Sequence, residues 1–448
     1  MLSPTIAKTL TAVPALAGLT LMCACSGLDD ETSSQEEEAR ARRIDHVVVV
    51  MMENRSFDHM LGWVPGADGR QAGLAYPDAG GGIHPTHHLA PDYQGCAHPD
   101  PDHTYEGGRV EYNGGACDGW LLAGDNDEYA IGYYTEADLP FYSRAVKRFV
   151  TLDRFFSSIM AGTFPNKIYQ YAAQTDRLSN TLDLSTLPTI WDRLADAGVE
   201  ARYYYSDLPF LALWGLKYLP ISRPVESFIH DAVNGELPAV SFIDPRFLGE
   251  DQGLSGDDHP HADIRNGQAF LDTIYRAVTH SPDWKNTVLV IHYDEWGGFF
   301  DHVPPTVAPI PPSDAALGSD GRRGFRTPAL VISPWAPAGT VSHGEFDHTS
   351  VLRMIENRWN LEPLTVRDAS ANDLADALDF TQRSATPAPG LSVPAGPFGG
   401  LCDPLPLPGD EIELGDVATL AALLGWPLFD GTQEELADLL DELLELRP

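Results

Sequence analysis

Four short apolar runs constrain the fold of this chain more than any other feature: Val47 to Met52, Ala239 to Ile243, Val288 to Tyr293 and Ala329 to Ile332. Each has the length of a strand, most are rich in β-branched residues, and none alternates strictly between apolar and polar. A strand with no polar face has nothing to offer water, so these runs read as strands of a parallel sheet covered on both sides. Helical segments lie between and after them, including Thr189 to Ala197, Gly267 to Val278 and Thr349 to Trp359. That order predicts an α/β fold built on a doubly wound, mostly parallel sheet.

The residues that follow the runs are more informative than the runs. Met52 passes into Glu53-Asn54, Ile243 into Asp244 and Tyr293 into Asp294-Glu295, while the run ending at Ile332 is followed by His343 and His348. Ligands of open α/β sheets sit outside the carboxyl ends of the strands, so side chains from separate strands are expected to converge on one point. Carboxylates gathered without basic partners repel one another, and a divalent cation is the expected resolution.

Charge bounds the partners. The 29 Lys and Arg face 65 Asp and Glu, a formal net charge of −36. That argues against nucleic acid, whose phosphates are bound by basic stripes, but not against a small phosphate-bearing substrate at a site of locally different sign. Residues 1–24 hold Lys8, no acid and an apolar run too short for a comfortable membrane span, which reads as a signal peptide. Met22-Cys23-Ala24-Cys25-Ser26-Gly27 resembles a bacterial lipoprotein box. Lipidation of Cys25 would anchor the chain to a membrane by acyl chains, and a soluble exported form is the alternative. The chain is therefore expected to be exported, as a cell-surface or periplasmic lipoprotein or as a secreted protein, and to be a monomer.

Residues 25–43 read as a flexible acidic stalk, 44–384 as the main domain, and 385–448 as a Pro/Gly-rich segment followed by an amphipathic helix from Gln433 to Leu446 that packs through its leucines. Cys96 and Cys117 share one Gly/Asp-rich loop region and predict a disulfide, with Cys402 left over.

Ile44-Asp45-His46-Val47-Val48-Val49-Val50-Met51-Met52-Glu53-Asn54-Arg55-Ser56-Phe57-Asp58 resembles the opening motif of the phosphoesterase family that contains bacterial phospholipases C and an acid phosphatase. The likeness continues through Asp100-Pro101-Asp102-His103, Asp153-Arg154-Phe155-Phe156, Thr163-Phe164-Pro165-Asn166, Asp258-His259-Pro260, Tyr293-Asp294-Glu295-Trp296-Gly297-Gly298 and Phe346-Asp347-His348-Thr349-Ser350. It spans residues 44 to 360 and implies an alkaline-phosphatase-like fold, in agreement with the strands and helices above.

The resemblance implies a metal-dependent phosphoesterase, acting on phospholipase C-type phosphodiesters or on phosphomonoesters, phospholipid among the candidate substrates. A non-catalytic surface lipoprotein of the same fold is the alternative. Glu53, Asn54, Asp294, Glu295 and Thr163 would hold the metal; their oxygen-rich set favours Ca²⁺ or Mg²⁺, with Zn²⁺ open if histidines also ligate. Both Asp294 and Glu295 can ligate only if the backbone turns after the strand, and Trp296-Gly297-Gly298 supplies such a turn.

Thr163 is implied as the nucleophile, forming a phosphothreonine. Its place before an apolar-periodic run reads on the residues alone as a helix N-cap, where free N–H groups favour an anionic phosphoryl group. Asn166 would donate to a phosphoryl oxygen. His103, His259 and His348 would bind phosphate or metal or protonate the leaving oxygen, with His259 or His348 in the last role. His302 matches a family segment without a clear role, His261 is an addition to the pattern, and His84, His87 and His88 read as solvated loop residues. Tyr105, Trp120, Tyr133, Tyr134 and Tyr203 to Tyr205 are candidates for an aromatic cage around choline.

Overall fold

The computed structural model describes residues 43–384, 387–403 and 412–446. The expected signal peptide, the lipoprotein box at Cys25 and all but the last residue of the acidic stalk lie outside these residues. Among the described residues no helix is long and apolar enough to cross a membrane.

One eight-stranded sheet organises the fold. Its strands are β1 (His46–Met52), β2 (Val150–Leu152), β3 (Ala201–Tyr205), β4 (Ser222–Pro224), β5 (Val240–Asp244), β6 (Thr287–Tyr293), β7 (Ala329–Ile332) and β8 (Thr340–Ser342), in the spatial order β8-β2-β7-β6-β1-β5-β3-β4. β1 lies in the middle, parallel to β5 on one side and β6 on the other, and β3 and β4 continue the parallel run. The four predicted strands are all present. β7, however, is antiparallel to both β6 and β2. Its carboxyl end at Ile332 therefore points away from the edge where β1, β5 and β6 end, and it is the start of β7 that meets that edge, with Ala329 opposite His292. His348 returns there by a different path, through β8 and a two-residue strand at Phe346–Asp347 that pairs with Phe155–Phe156.

Alternate residues of each central strand enter opposite cores. Val47 and Val49 of β1, Phe242 of β5 and Val290 of β6 join one cluster, with helices α1 (Thr163–Ala172), α2 (Ile190–Asp196), α5 (His348–Trp359) and α6 (Leu414–Leu424). Val48 and Val50 of β1, Ile243 of β5 and Ile291 of β6 join the other, with α3 (Val225–Asn234), α4 (Ile264–Thr279) and α7 (Gln433–Glu445). Helices on both faces explain why these strands have no polar side. α7 packs through Leu436 and Leu440. Of the Pro/Gly-rich stretch, residues 387–403 form no helix or strand, yet Leu391 is buried in the second core.

The disulfide differs from expectation. Cys96 bonds Cys402 across 306 residues, with their Cα atoms 5.4 Å apart, and Cys117 is a buried free thiol. Burial pushes the Cys117 thiol up to about 12, which makes it inert. Sequence proximity pointed to the wrong partner because a bond follows spatial approach: Gln94, two residues from Cys96, donates to the carbonyls of Gly253 and Gly400 and so brings the C-terminal segment beside this loop. Cys402→Ser is expected to lower stability by about 2–4 kcal/mol. A non-reducing digest of the unaltered protein should join the peptides holding Cys96 and Cys402; a Cys96–Cys117 peptide would contradict this pairing.

Candidate active site

The ends of β1 and β6 deliver four side chains to one place. Met52 pairs with Tyr293, so Glu53-Asn54 and Asp294-Glu295 leave the sheet side by side, and all four are fully buried. The Asp294 amide donates to the Met52 carbonyl at 3.0 Å, and Asp294 Oδ1 accepts from the amides of Asn54 (3.1 Å) and Glu295 (2.7 Å). Asn54 takes a left-handed conformation (φ 56°), one that asparagine tolerates better than most residues. Glu295 turns back as anticipated: Oε2 accepts from the Gly297 amide at 2.7 Å. Gly297 has φ 63°, and a Cβ there would stand 2.1 Å from the Asn54 carbonyl oxygen, so the turn requires glycine.

Thr163 opens α1 as its first helical residue. The cap is Gly162, not Thr163. The Thr163 hydroxyl donates to Glu53 Oε2 at 3.2 Å and approaches Asn54 Oδ1 at 3.5 Å. The free N–H groups expected at this helix start are fewer than expected, because Phe164 donates its amide to Asn180 at 2.9 Å and Pro165 has none. Asn166 likewise departs from its expected role. Its Oδ1 accepts from Ile159 N, and its Nδ2 donates to the carbonyls of Ile159, Ala161 and Gly162. A side chain so engaged shapes the loop that presents Thr163 and has no donor left for a phosphoryl oxygen.

Lys167 is the residue sequence reasoning missed. It lies one helical turn after Thr163 in a helix whose ten residues are all buried. Its ammonium stands 2.8 Å from Glu53 Oε1 and 3.7 Å from Asp244 Oδ1, over the Phe247 ring at 4.4 Å. Burial works to lower its pKa, but Asp244 and Glu53 outweigh burial and carry it above its ordinary value, so it is a cation. The converging carboxylates therefore do have a basic partner. The available signal was a lone base at i+4 from the proposed nucleophile on an otherwise apolar run.

Negative charge still exceeds positive. Burial, with Asp294 beside it, holds the Glu53 carboxyl well above its usual range, and burial does the same to Glu295. Asp294 Oδ2 and Glu295 Oε1 are buried without a hydrogen-bond partner. Buried carboxylate oxygens without donors are groups that a hard divalent cation satisfies, so the residues present fit such an ion.

The histidines separate into two groups. His103 and His259 lie together, ring centroids 6.0 Å apart, and a Cβ on Gly162 would meet His103 Cδ2 at 3.6 Å, which places His103 against the Thr163 loop. Burial, with His103 beside it, holds His259 well below its ordinary pKa. His348 packs instead on His292 (5.1 Å) and Phe155, with Nε2 donating to the Tyr293 carbonyl at 3.0 Å. Burial lowers its pKa to about 4. His348 thus braces the end of β6. Arg55, fully buried, ties the loop holding His259 to β1 by donating to the carbonyls of Asp258 (2.6 Å) and His259 (3.3 Å).

The remaining candidates are structural. His302 donates to Asp58, which with Asp301 surrounds the buried Arg326 guanidinium. His261 donates to the His98 carbonyl, and His84 and His88 pair with Asp78 and Asp138. No aromatic cage forms from the named residues: Tyr203 and Tyr205 enter one core, Tyr204 and Tyr134 the other, and Trp120 a third cluster.

The profile of the phosphoesterase family matches residues 44–221 and 212–362. Non-specific phospholipase C1 of Arabidopsis thaliana is 31% identical over 76% of this chain and 72% of its own length. Phospholipase C B of Mycobacterium tuberculosis is 30% identical over 78% of this chain and 80% of its own length. Among solved structures, a protein in the alkaline phosphatase superfamily from Vibrio parahaemolyticus is similar with a TM-score of 0.37 and 10% identity, over 77% of this chain and 78% of that one.

Proposed function

The chain belongs to the phosphoesterase family, and from that premise we propose a phosphodiesterase of the phospholipase C type in which Thr163 is the nucleophile. The observation that carries this reading is the Thr163 hydroxyl, 3.2 Å from Glu53 Oε2 and 3.5 Å from Asn54 Oδ1 at the end of β1. Glu53 is positioned to take the hydroxyl proton as Oγ attacks phosphorus; the P–O bond to the leaving alcohol breaks as the bond to Thr163 forms, giving a phosphothreonine that water then hydrolyses. Lys167 holds the other oxygen of Glu53, so that Oε2 faces Thr163. Asn166 shapes the loop that presents it. His103 and His259, the former against that loop, face the charge that develops on the leaving group.

Glu53, Asn54, Asp294, Glu295 and Thr163 are the residues that would hold a divalent cation, Ca²⁺ or Mg²⁺ by their oxygen donors. Bound there, it would supply a Lewis acid for the hydroxyl and the phosphoryl oxygen. Diester preference rests on the relatives, both phospholipases C. Export, with or without a lipid at Cys25, is part of the proposal and is supported by the Cys96–Cys402 disulfide, since such bonds persist in oxidising compartments.

The test is turnover of p-nitrophenyl phosphate, bis-p-nitrophenyl phosphate and p-nitrophenyl phosphorylcholine by the purified protein. Hydrolysis of a diester, lost in EDTA and restored by added Ca²⁺ or Mg²⁺, is the expected result. Hydrolysis of the monoester alone would overturn the diester preference, activity untouched by chelation would overturn the metal, and no turnover of any substrate would overturn the reading.

A further inference from the structure

We propose that Asn180, a residue outside the motifs that carry the family resemblance, is a catalytic residue whose Nδ2 donates to a nonbridging oxygen of the phosphoryl group as Thr163 attacks it. The inference rests on the reading of Thr163 as nucleophile and supplies the donor that Asn166, spent on backbone carbonyls, does not.

Placement is the first argument. Asn180 reaches the site from the loop after α1 and is 7% exposed. Its Oδ1 accepts from the Phe164 amide at 2.9 Å, one residue after Thr163. One residue before Thr163, a Cβ added to Gly162 would stand 3.7 Å from the same Oδ1. The carboxamide therefore lies against the backbone on both sides of the nucleophile.

Orientation is the second. A backbone amide only donates, so the carboxamide must turn its oxygen to Phe164; exchanging its two ends would set one N–H against another. Nδ2 is thereby fixed on the other arm. It is buried and makes no hydrogen bond. A buried amide nitrogen without an acceptor costs stability, and phosphoryl oxygens are acceptors. A group attacked by the Thr163 hydroxyl has to stand beside it, within the surroundings that Asn180 shares.

Rigidity is the third. Arg177 donates to the carbonyls of Thr181 and Asp183, and the Thr175 hydroxyl donates to the Arg177 carbonyl at 2.9 Å, so the loop is tied on both sides of Asn180. A donor held in place beforehand needs no reorganisation when charge spreads over the equatorial oxygens of the transferring group. Lys167 does not compete for this role, since its ammonium is committed to Glu53 and Asp244.

The experiment compares Asn180→Asp and Asn180→Ala with the unaltered full chain on bis-p-nitrophenyl phosphate in buffer holding Ca²⁺, with orthovanadate binding by calorimetry as a second readout. Asn180→Asp keeps an acceptor for the Phe164 amide and removes only the donor, whereas Asn180→Ala removes both without adding charge. The expected result is a fall in kcat of about a hundredfold or more in both variants, with KM little changed. Orthovanadate, whose five-coordinate geometry resembles the transition state, should bind about tenfold more weakly or worse to both. Near-normal turnover in Asn180→Asp beside a loss in Asn180→Ala would mean that Asn180 only holds the helix start, and overturns the proposal. Unchanged orthovanadate affinity in the variants also overturns it. Full activity in Thr163→Ala alongside losses at Asn180 overturns the nucleophile and leaves the donor standing. If the unaltered protein turns over no ester, the reading above falls, and orthovanadate still decides: weaker binding in both variants supports the donor, while equal binding, or none by the unaltered protein, overturns it. If a variant fails to fold by circular dichroism, a crystal structure of the unaltered protein with orthovanadate decides: Nδ2 within hydrogen-bonding distance of a vanadate oxygen supports the role, and Nδ2 turned away overturns it.

Discussion

Thr163→Ala is expected to lower turnover by about three orders of magnitude or more while the protein stays folded. The hydroxyl makes one hydrogen bond, to Glu53, and a lost hydrogen bond of this kind costs about 1 kcal/mol of stability. Backbone geometry at the helix start is set by Gly162 and Asn166, which the substitution leaves alone. Thr163→Ser keeps the nucleophile and should keep most of the activity, which separates loss of an oxygen from loss of packing. Acid quench during turnover, followed by mass spectrometry of the peptide holding Thr163, should find a phosphoryl group on the unaltered protein and none on the alanine variant. Full activity in Thr163→Ala would end the case for this nucleophile.

The second large effect concerns Lys167→Met, which removes the one ammonium between Glu53 and Asp244. Breaking a buried ion pair from one side costs about 3–5 kcal/mol, because the remaining charges have no water to turn to. Urea unfolding should show a loss of that size. Asp244→Asn in the Lys167→Met background removes one of the stranded carboxylates and should recover part of the stability, despite weakening the bond from the Tyr203 hydroxyl. Turnover of the single variant should fall about a hundredfold, since Glu53 loses the contact that turns Oε1 away and leaves Oε2 facing Thr163. Additive losses in the double variant would mean that Lys167 and Asp244 do not act as a pair.

Much of this architecture can be read from the chain because burial writes itself into composition. Val47 to Met52 is apolar throughout, and Val288 to Tyr293 carries no charge and only His292 and the Tyr293 hydroxyl as polar groups, since both faces of β1 and β6 are covered; Glu53 and Asp294 stand out as the first acids after them. Strands near the sheet's edges carry no such mark. β2 and β8 have three residues each, β4 includes Arg223, and β3 begins with Ala201 and Arg202 before three tyrosines that enter two different cores. The direction of β7 is also silent, since a strand covered on both faces looks the same run either way. Lys167 and the Cys96–Cys402 bond were hidden for a common reason: each is defined by a partner far along the chain, and sequence spacing carries no information about such a partner. Asn166 was read as facing substrate because its motif is shared, whereas its four hydrogen bonds to the backbone of residues 159–162 show how it acts.

The central place of β1 has a consequence for the order in which the protein is made. β1 precedes the other seven strands of its sheet in the chain, yet it pairs with Val240 to Ile243 and with Thr287 to Tyr293. Until those segments are synthesised, the run His46–Met52 has two bare edges and no polar face, the signature of a segment that adheres to other chains. Such long-range pairing also makes folding slow. The pairing that sets Glu53-Asn54 beside Asp294-Glu295 forms only when β6 has closed beside β1.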